Sequence, residues 1–399
     1  MVKENRFKLV LVLGFLSAFA PLSIDMYLSA FPTMQHYFAT DEGTIALTLA
    51  SFFIGFSFGQ AFYGPISDKY GRKLPLYIGL GLFVVASIGC ALSTSAEMLI
   101  FFRLLQALGA CAGGVISRAV VRDLYDPKEA VKFYSYLMLV SSLAPMLAPI
   151  LGSFVLSALG WKAIFFILAA LGVVSLFSVA FALPPLPKPK MSGELTFSSV
   201  MREYYHLLLH KHFIVYTLIG SFAMAGMFAY ITASSFIFMD IFGLSSDGYA
   251  LLFGFNAVVF IIGAQVNAKI IDRFDSVSIM KYSLLLLATS AISLVVMVLA
   301  GVVDIYLVSM ALLSYMFSLG FIIPNSTAMA MAPFSTNAGS ASALLGTLQF
   351  SLAAASSIAL GFVMLDRLQA MSIVMAICAS AALFMMIYLK NLRESIEIE

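Results

Sequence analysis

The sequence predicts an all-α membrane protein with twelve transmembrane helices in two six-helix halves. Three observations predict this fold: 62% of the 399 residues are hydrophobic and 11% are charged, the apolar residues form long runs, and the longest polar connector lies near the middle. Soluble domains carry about 25% charged residues, so lipid must cover much of this chain. Runs of about 20 residues cross a membrane as helices, whereas barrel strands need only about 10.

The apolar runs form twelve segments, each long enough to cross a hydrocarbon core about 30 Å thick as one helix. The connectors between them hold most of the charged side chains. The predicted spans cover about residues 7–29, 44–65, 74–94, 98–121, 132–158, 163–183, 213–239, 248–268, 279–300, 303–327, 338–364 and 370–390.

Lys and Arg are divided unevenly between the two sides of these spans. Of the 22 such residues, eighteen lie on the side of the N-terminus, whereas the opposite connectors hold Lys162 and Arg367. Cytoplasmic connectors are enriched in Lys and Arg. We therefore expect both termini of this multi-pass protein to lie in the cytoplasm, which agrees with an even number of spans.

The connector 184–212 begins with a proline-rich stretch that cannot continue a helix. It predicts an N-terminal six-helix half (1–183), a cytoplasmic linker (184–212) and a C-terminal six-helix half (213–399). The regions around the connectors after spans 2 and 8 are also alike at an offset of 204 residues, where Gly59, Asp68, Lys69 and Tyr70 match Gly263, Asp272, Arg273 and Phe274. A repeated six-span unit is typical of transporters with a pseudo-twofold axis along the membrane normal.

The residue patterns of enzymes and metal centres are missing from the sequence. Cys90, Cys111 and Cys378 lie in apolar segments without metal-ligand spacing, and the four histidines lie in connectors. The metalloprotease, nucleophile-elbow and phosphate-loop motifs are also missing. We expect no enzymatic activity, no metal and no cofactor. A net charge of +2 without a basic run also predicts no nucleic-acid partner.

The most specific motif is the stretch GPISDKYGRK at 64–73, between spans 2 and 3, with Gly64 at its start. Gly71 allows a tight turn, and Asp68 can pair with basic groups or cap a helix N-terminus. Together with Arg72 and Lys73, these residues are expected to form a charged latch between cytoplasmic helix ends. Topological positive charge alone would explain the basic residues but not Asp68 or the glycines.

Spans 4 and 5 carry polar and small residues at helical spacing. Span 4 contains RLLQALG at 103–109, which holds Arg103 and Gln106. Span 5 contains APMLAPILGS at 144–153, which holds Ala148, Pro149 and Gly152. Small residues let helices in lipid approach closely, and prolines can kink a helix. Static helix packing would explain the same pattern.

Together these motifs resemble those of the major facilitator superfamily. Stretch 64–73 is similar to the signature G-x-L-[SA]-D-R-x-G-R-[KR], 103–109 to R-x-x-Q-G-x-G, and 144–153 to the antiporter motif G-x-x-x-G-P-x-x-G-G. The segments 21–28, 122–125, 324–325 and 338–346 further resemble the Bcr/CflA drug:proton antiporters of bacteria, the bicyclomycin/chloramphenicol resistance type. The resemblance covers the whole chain. It implies the major facilitator fold, proton coupling and outward drug transport.

Asp25 is the one acidic residue that lies well inside a predicted span, about four residues from its outer end. A charged side chain at a helix centre costs about 2.5–3.5 kcal/mol, so we expect Asp25 to have a function. Arg103 lies at a matching depth in span 4, with Gln106 one turn deeper. Either Asp25 alternates between proton and substrate while Arg103 tunes its pKa, or the two form a static ion pair. Tyr27 is a further candidate for the substrate cavity.

These observations lead to the hypothesis of a secondary active transporter that exports small lipophilic drugs across the bacterial inner membrane in exchange for protons. We expect it to act as a monomer in the lipid bilayer. The alternative is an exporter of a natural metabolite such as a peptide, sugar or siderophore. Sugar sites usually need several buried polar groups, and only Asp25 and Arg103 stand out here.

Overall fold

A computed structural model describes residues 2–125, 127–183, 197–334, 338–362 and 366–396, and most of these residues are helical. A 3₁₀ turn (Leu28–Ala30) separates the first two helices, and a π-helical turn (Phe236–Ile241) follows the ninth. The α-helices of the described residues are α1 (Val2–Asp25), α2 (Phe31–Phe38), α3 (Glu42–Tyr70), α4 (Lys73–Ala91), α5 (Ala96–Leu124), α6 (Pro127–Leu159), α7 (Trp161–Ala182), α8 (Phe197–Leu209), α9 (Lys211–Ser235), α10 (Ser246–Ile270), α11 (Ser276–Leu299), α12 (Ile305–Met331), α13 (Ala338–Phe362) and α14 (Arg367–Ile396).

The described helices confirm the predicted all-α membrane fold. Within the described residues, eleven segments are long and apolar enough to cross a membrane, and α1 and α2 together form one of them. The predicted fifth span corresponds to α6, a 33-residue helix. Helix α8, with 13 residues, is the one described helix that lies outside these spans.

The first span differs from the predicted range 7–29. Helix α1 ends at Asp25, and the apolar segment continues through the 3₁₀ turn and α2 to Phe38. Pro32, at the start of α2, has no N–H with which to bond the carbonyl of Leu28, so a continuous helix is disfavoured here. Asp25 lies 13 residues before Phe38, farther from the end of the apolar segment than the predicted range places it. Its depth in the membrane stays a prediction.

The chain divides by contacts into two compact units. The first contains Met1–Arg202 and Ser246–Gly254, and the second contains Glu203–Ser245 and Phe255–Glu399. In the first unit, α5 packs against α3 and α4, and α1 packs against α5 and α6. In the second, α9 packs against α12, α13 and α14.

The predicted linker 184–212 lies only partly within the described residues. Its first part, 184–196, lies outside them, and the rest consists of α8 and the first residues of α9. The predicted division into halves 1–183 and 213–399 around this linker stays a prediction.

Both glycines of the predicted internal repeat lie at close helix contacts within their own units. A Cβ built on Gly59 of α3 would lie 2.6 Å from the Cβ of Cys111 in α5. A Cβ built on Gly263 of α10 would lie 3.3 Å from the carbonyl carbon of Phe317 in α12. Small residues allow this approach in lipid, where the hydrophobic force between helices is weak. The two glycines therefore have the same packing role.

Polar side chains cap several helices where they begin. Asp41 Oδ1 accepts a hydrogen bond from the Thr44 amide at 2.9 Å at the start of α3, and Asp304 accepts from two amides at the start of α12. These bonds satisfy N–H groups that have no partner within the helix. Hydrogen bonds from the hydroxyl and amide of Thr44 also hold the pKa of Asp41 below its usual value.

Candidate functional site

The candidate site lies where α1 ends within the first candidate membrane span. The Met26 amide donates a helical bond to the Leu22 carbonyl at 3.1 Å, and the Ala30 amide then bonds to the Tyr27 carbonyl at 2.9 Å in the 3₁₀ turn. Asp25 is the last residue of α1 and is 3% exposed. The carbonyl end of a helix carries partial negative charge. The break thus brings a carboxylate and helix carbonyls together within the first candidate membrane span.

Arg103 of α5 reaches this broken end. Its Nη1 donates to the carbonyl oxygen of Ser23 at 2.9 Å and to Oε1 of Gln106 at 2.6 Å. Arg103 is fully buried. A cation at the carbonyl end of a helix is electrostatically favourable, so Arg103 joins α5 to the end of α1.

Aromatic rings surround the Arg103 guanidinium. Its Cζ lies 4.1 Å from the ring centroid of Tyr27 and 4.3 Å from that of Phe52, distances at which cation–π attraction is favourable. The Tyr27 hydroxyl lies 3.3 Å from Oγ1 of Thr48. Tyr27, predicted as a cavity residue, is therefore fully buried against Arg103.

One edge of the Arg103 guanidinium is open. Its Nε and Nη2 are buried and have no hydrogen-bond partner within the described part of the chain. These two N–H groups point in the same direction and form an edge that can bind a carboxylate in a bidentate manner. A buried donor without a partner costs about 1–3 kcal/mol. The open edge is therefore suited to an acceptor group.

Gln106 extends this network to α4. Its Nε2 donates to Oγ of Ser87 at 2.8 Å, and that hydroxyl donates to the Phe83 carbonyl at 2.6 Å. The amide oxygen of Gln106 is thereby directed at Arg103, and its nitrogen at α4. The network connects α1, α5 and α4 and holds the guanidinium in one position.

The predicted pair, Asp25 and Arg103, lies around the same helix end without direct contact. Arg103 bonds to Ser23, two residues before Asp25. Among the residues that the structure describes, the Asp–Arg ion pairs lie around the α3–α4 connector and the end of α5, and none joins Asp25 to Arg103. This structure therefore does not contain the static ion pair considered as one interpretation.

Gly152 of α6 packs against the same break in α1. A Cβ built on Gly152 would overlap the carbonyl oxygen of Met26 and lie 2.7 Å from its carbonyl carbon, so only a hydrogen atom fits there. Ala148 and Pro149, one turn earlier, are also buried. The end of the predicted antiporter motif thus lies against the residue that follows Asp25.

A second group of residues, named here the connector cluster, consists of Ser67, Asp68, Arg72, Arg122 and Asp123. Helix α3 ends at Tyr70, and Gly71 follows with φ +80°, a conformation that side-chain-bearing residues rarely adopt. This turn lets Arg72 lie back against the ends of α3 and α5.

Arg72 makes most of the contacts in the connector cluster. Its Nη2 lies 2.6 Å from Oδ1 of Asp68 and 2.8 Å from Oδ2 of Asp123, while its Nη1 donates to Oγ of Ser67 at 2.7 Å. Arg72 and Asp123 are each 5% exposed, whereas Arg122 is 46% exposed and lies 3.5 Å from Asp68. Buried charges are stable only when they are well paired, and these contacts pair the Arg72 guanidinium.

The other two residues of the predicted latch have different positions. Lys73 donates from Nζ to the carbonyl of Leu183, the residue that caps the end of α7, at 3.1 Å. A Cβ built on Gly64 would have no neighbour within 4 Å, so close packing does not explain this glycine.

Sequence reasoning missed several residues around Arg103 and one member of the connector cluster. Ser23 contributes a backbone carbonyl, and Phe52 and Ser87 belong to other spans, so no local pattern indicates them. Asp123 did carry a usable signal, since it lies next to Arg122 at the same predicted cytoplasmic level as Asp68.

Comparison with known proteins gives consistent results. Residues 13–357 match the model of the Major Facilitator Superfamily. The chain is 34% identical over 351 residues to the uncharacterized MFS-type transporter YdgK of Bacillus subtilis, covering 86% of each. It is 27% identical over 379 residues to the bicyclomycin resistance protein homolog of Haemophilus influenzae, covering 94% of each. It is 33% identical over 289 residues to the chloramphenicol resistance protein of Pseudomonas aeruginosa, covering 72% of this chain and 68% of that protein.

Solved structures show the same architecture. A D-xylose-proton symporter aligns with a TM-score of 0.75 at 18% sequence identity, covering 96% of this chain and 97% of that one. At this identity the likeness concerns the fold alone. With the family match over most of the sequence, the helices and their motifs lead to one conclusion: the chain belongs to the major facilitator superfamily of membrane transporters.

Proposed function

We propose that this chain exports small lipophilic drugs across the bacterial inner membrane in exchange for protons, and that Asp25 binds the transported proton. The observation that carries the proposal is a buried carboxylate at the broken end of α1, next to a guanidinium with an open edge. The relatives named for bicyclomycin and chloramphenicol resistance support a drug as the substrate.

Asp25 and Arg103 are suited to a proton-dependent change of partner. A protonated carboxyl group is neutral and can remain buried, whereas a carboxylate needs a partner or water. The open Nε–Nη2 edge of Arg103 is such a partner. In this proposal the deprotonated Asp25 side chain moves to that edge, and protonation releases it. Gln106 and Ser23 keep the guanidinium in place during both states.

Exchange follows when the two states of Asp25 form on opposite sides of the membrane. Protonation from the outside favours release of the drug there, and loss of the proton to the cytoplasm frees the site for the next drug molecule. Moving one charge across 100 mV is worth about 2.3 kcal/mol, which can drive uphill export.

The connector cluster is proposed as a charged latch at the cytoplasmic ends of α3, α4 and α5. The buried Arg72–Asp123 pair supports this role, because separating it would expose two charges that now neutralise each other. The uneven distribution of Lys and Arg supports cytoplasmic termini. Monomeric action is part of the same proposal.

The test is drug-driven proton movement in proteoliposomes with an internal pH indicator. Asp25→Asn removes the titratable group while keeping its size, so we expect drug binding to remain and drug-coupled proton flux to disappear. Asp304→Asn is the matched control, since Asn also caps a helix and the flux should stay at the wild-type level.

Unchanged coupling in Asp25→Asn would contradict the assignment of the proton site. Proton flux driven by a peptide, sugar or siderophore but by no lipophilic drug would instead support the metabolite exporter.

A further inference from the structure

Helix α8 has more apolar surface than the protein covers. Val200, Tyr204 and Leu207 recur at intervals of four and three residues and are 9%, 6% and 4% exposed, so they form its protein-facing side. Burial, the larger effect, together with the nearby Glu203, raises the pKa of Tyr204 to about 12. This side needs no further partner.

A second apolar strip lies beside the first. Tyr205, Leu208 and Leu209 are 61%, 41% and 61% exposed. With 3.6 residues per turn, these three side chains occupy neighbouring positions around the helix, whereas the exposed Arg202 and His206 lie on the remaining side. We name Tyr205, Leu208 and Leu209 the α8 strip.

The α8 strip lies next to the start of a membrane span. Helix α8 ends at Leu209 and α9 begins at Lys211, so the single residue His210 separates them. Consecutive Cα atoms are about 3.8 Å apart, which places the last turn of α8 within several ångströms of the level where α9 begins. The span that starts there covers Lys211–Ile241. The α8 strip is therefore close enough to contact lipid headgroups.

We propose that the α8 strip binds the bilayer interface, with Leu208 and Leu209 among the upper acyl segments and the Tyr205 phenol at the headgroups. Helices with one apolar and one polar side lie in this way in the interface plane, and Tyr is enriched at that level. Arg202, at the edge of the strip, and Lys211 provide positive charge for headgroup phosphates. This surface is separate from the proposed transport site and does not depend on it.

The chain offers a clean spectroscopic test because Trp161 is its one tryptophan. In the full-length Trp161→Phe protein, a new tryptophan is introduced by Tyr205→Trp or, as a matched control on the polar side, by His206→Trp. Each variant is reconstituted into bilayers whose lipids carry bromine either near the headgroup or near the acyl end. Wild-type-like thermal unfolding verifies that each variant is folded.

For Tyr205→Trp, we expect shallow bromines to quench emission at least about 2-fold more than deep ones, as for a side chain 5–10 Å into the boundary region. His206→Trp should be quenched little by either and should remain accessible to aqueous iodide. The proposal is overturned if Tyr205→Trp is quenched by iodide and not by bromine, since water then covers the strip. Protection from both quenchers also overturns it, because a second copy of the chain or another protein would then cover the strip.

Discussion

Gly152→Ala tests whether α6 positions the segment that follows Asp25. The added methyl group would overlap the Met26 carbonyl oxygen and lie 2.7 and 2.9 Å from its carbonyl carbon and Cα. Ordinary contacts lie at 3.4–4 Å, so α6 and the break in α1 must separate by at least about 0.7 Å. Overpacking of this kind typically costs about 1–3 kcal/mol.

Gly114→Ala is the matched control for this clash. Gly114 lies within α5, and a Cβ built there has no neighbour within 4 Å. Both substitutions gain about 1 kcal/mol from the higher helix propensity of alanine, so their difference isolates the clash. We expect Gly152→Ala to be less stable than Gly114→Ala by about 1–3 kcal/mol in detergent.

Gly152→Ala should also affect Asp25, because Asp25 directly precedes Met26 in the chain. A displaced Met26 carbonyl changes the orientation of Asp25 relative to the open edge of Arg103. Drug-coupled proton flux should therefore fall in Gly152→Ala while drug binding persists, and Gly114→Ala should transport normally. Equal stability and equal coupling in the two variants would refute the positioning role.

Two further predictions concern the connector and a helix cap. Arg72→Ala removes the 2.8 Å partner of the buried Asp123 while Arg122 Nε stays at 3.8 Å, so stability should fall toward the lower end of about 3–5 kcal/mol. Arg122→Ala should cost less than about 1 kcal/mol. Thermal unfolding in detergent measures both losses, and equal losses would contradict the pairing. Asp41→Ala should destabilise the protein at neutral pH through loss of its cap. Because folding lowers the pKa of Asp41, this difference from wild type should shrink as the pH falls below the ordinary value of 3.8, and a constant difference would contradict it.

Features set by local sequence were predictable. The spans follow from hydropathy, and Asp68, Gly71 and Arg72 lie within one short motif whose members contact each other through a single turn. The same reasoning identified Arg103 and Gln106 as neighbours, because residues three apart share a helix face.

Features set by tertiary packing were not predictable from a single sequence. Hydropathy does not distinguish a helix from a 3₁₀ turn, so the break after Asp25 was missed and the first span was given as 7–29. Pro32 was the available signal, since a proline interrupts the bonding of the turn before it. The backbone acceptor of Arg103 was not predicted for a related reason. Sequence patterns pair side chains, and here the acceptor is the backbone carbonyl of Ser23.

The helix break also explains how the charged Arg103 guanidinium can be buried among the spanning helices. A guanidinium buried in a continuous apolar bundle would find few acceptors, because helical carbonyls are already bonded. Ending α1 at Asp25 leaves the Ser23 carbonyl available to Arg103, and Gln106 supplies the second acceptor. Gly152 then leaves room for the displaced Met26 carbonyl. The charge of Arg103, the break in α1 and the small residue on α6 therefore form one arrangement, in which changing any one of them should alter the surroundings of Asp25.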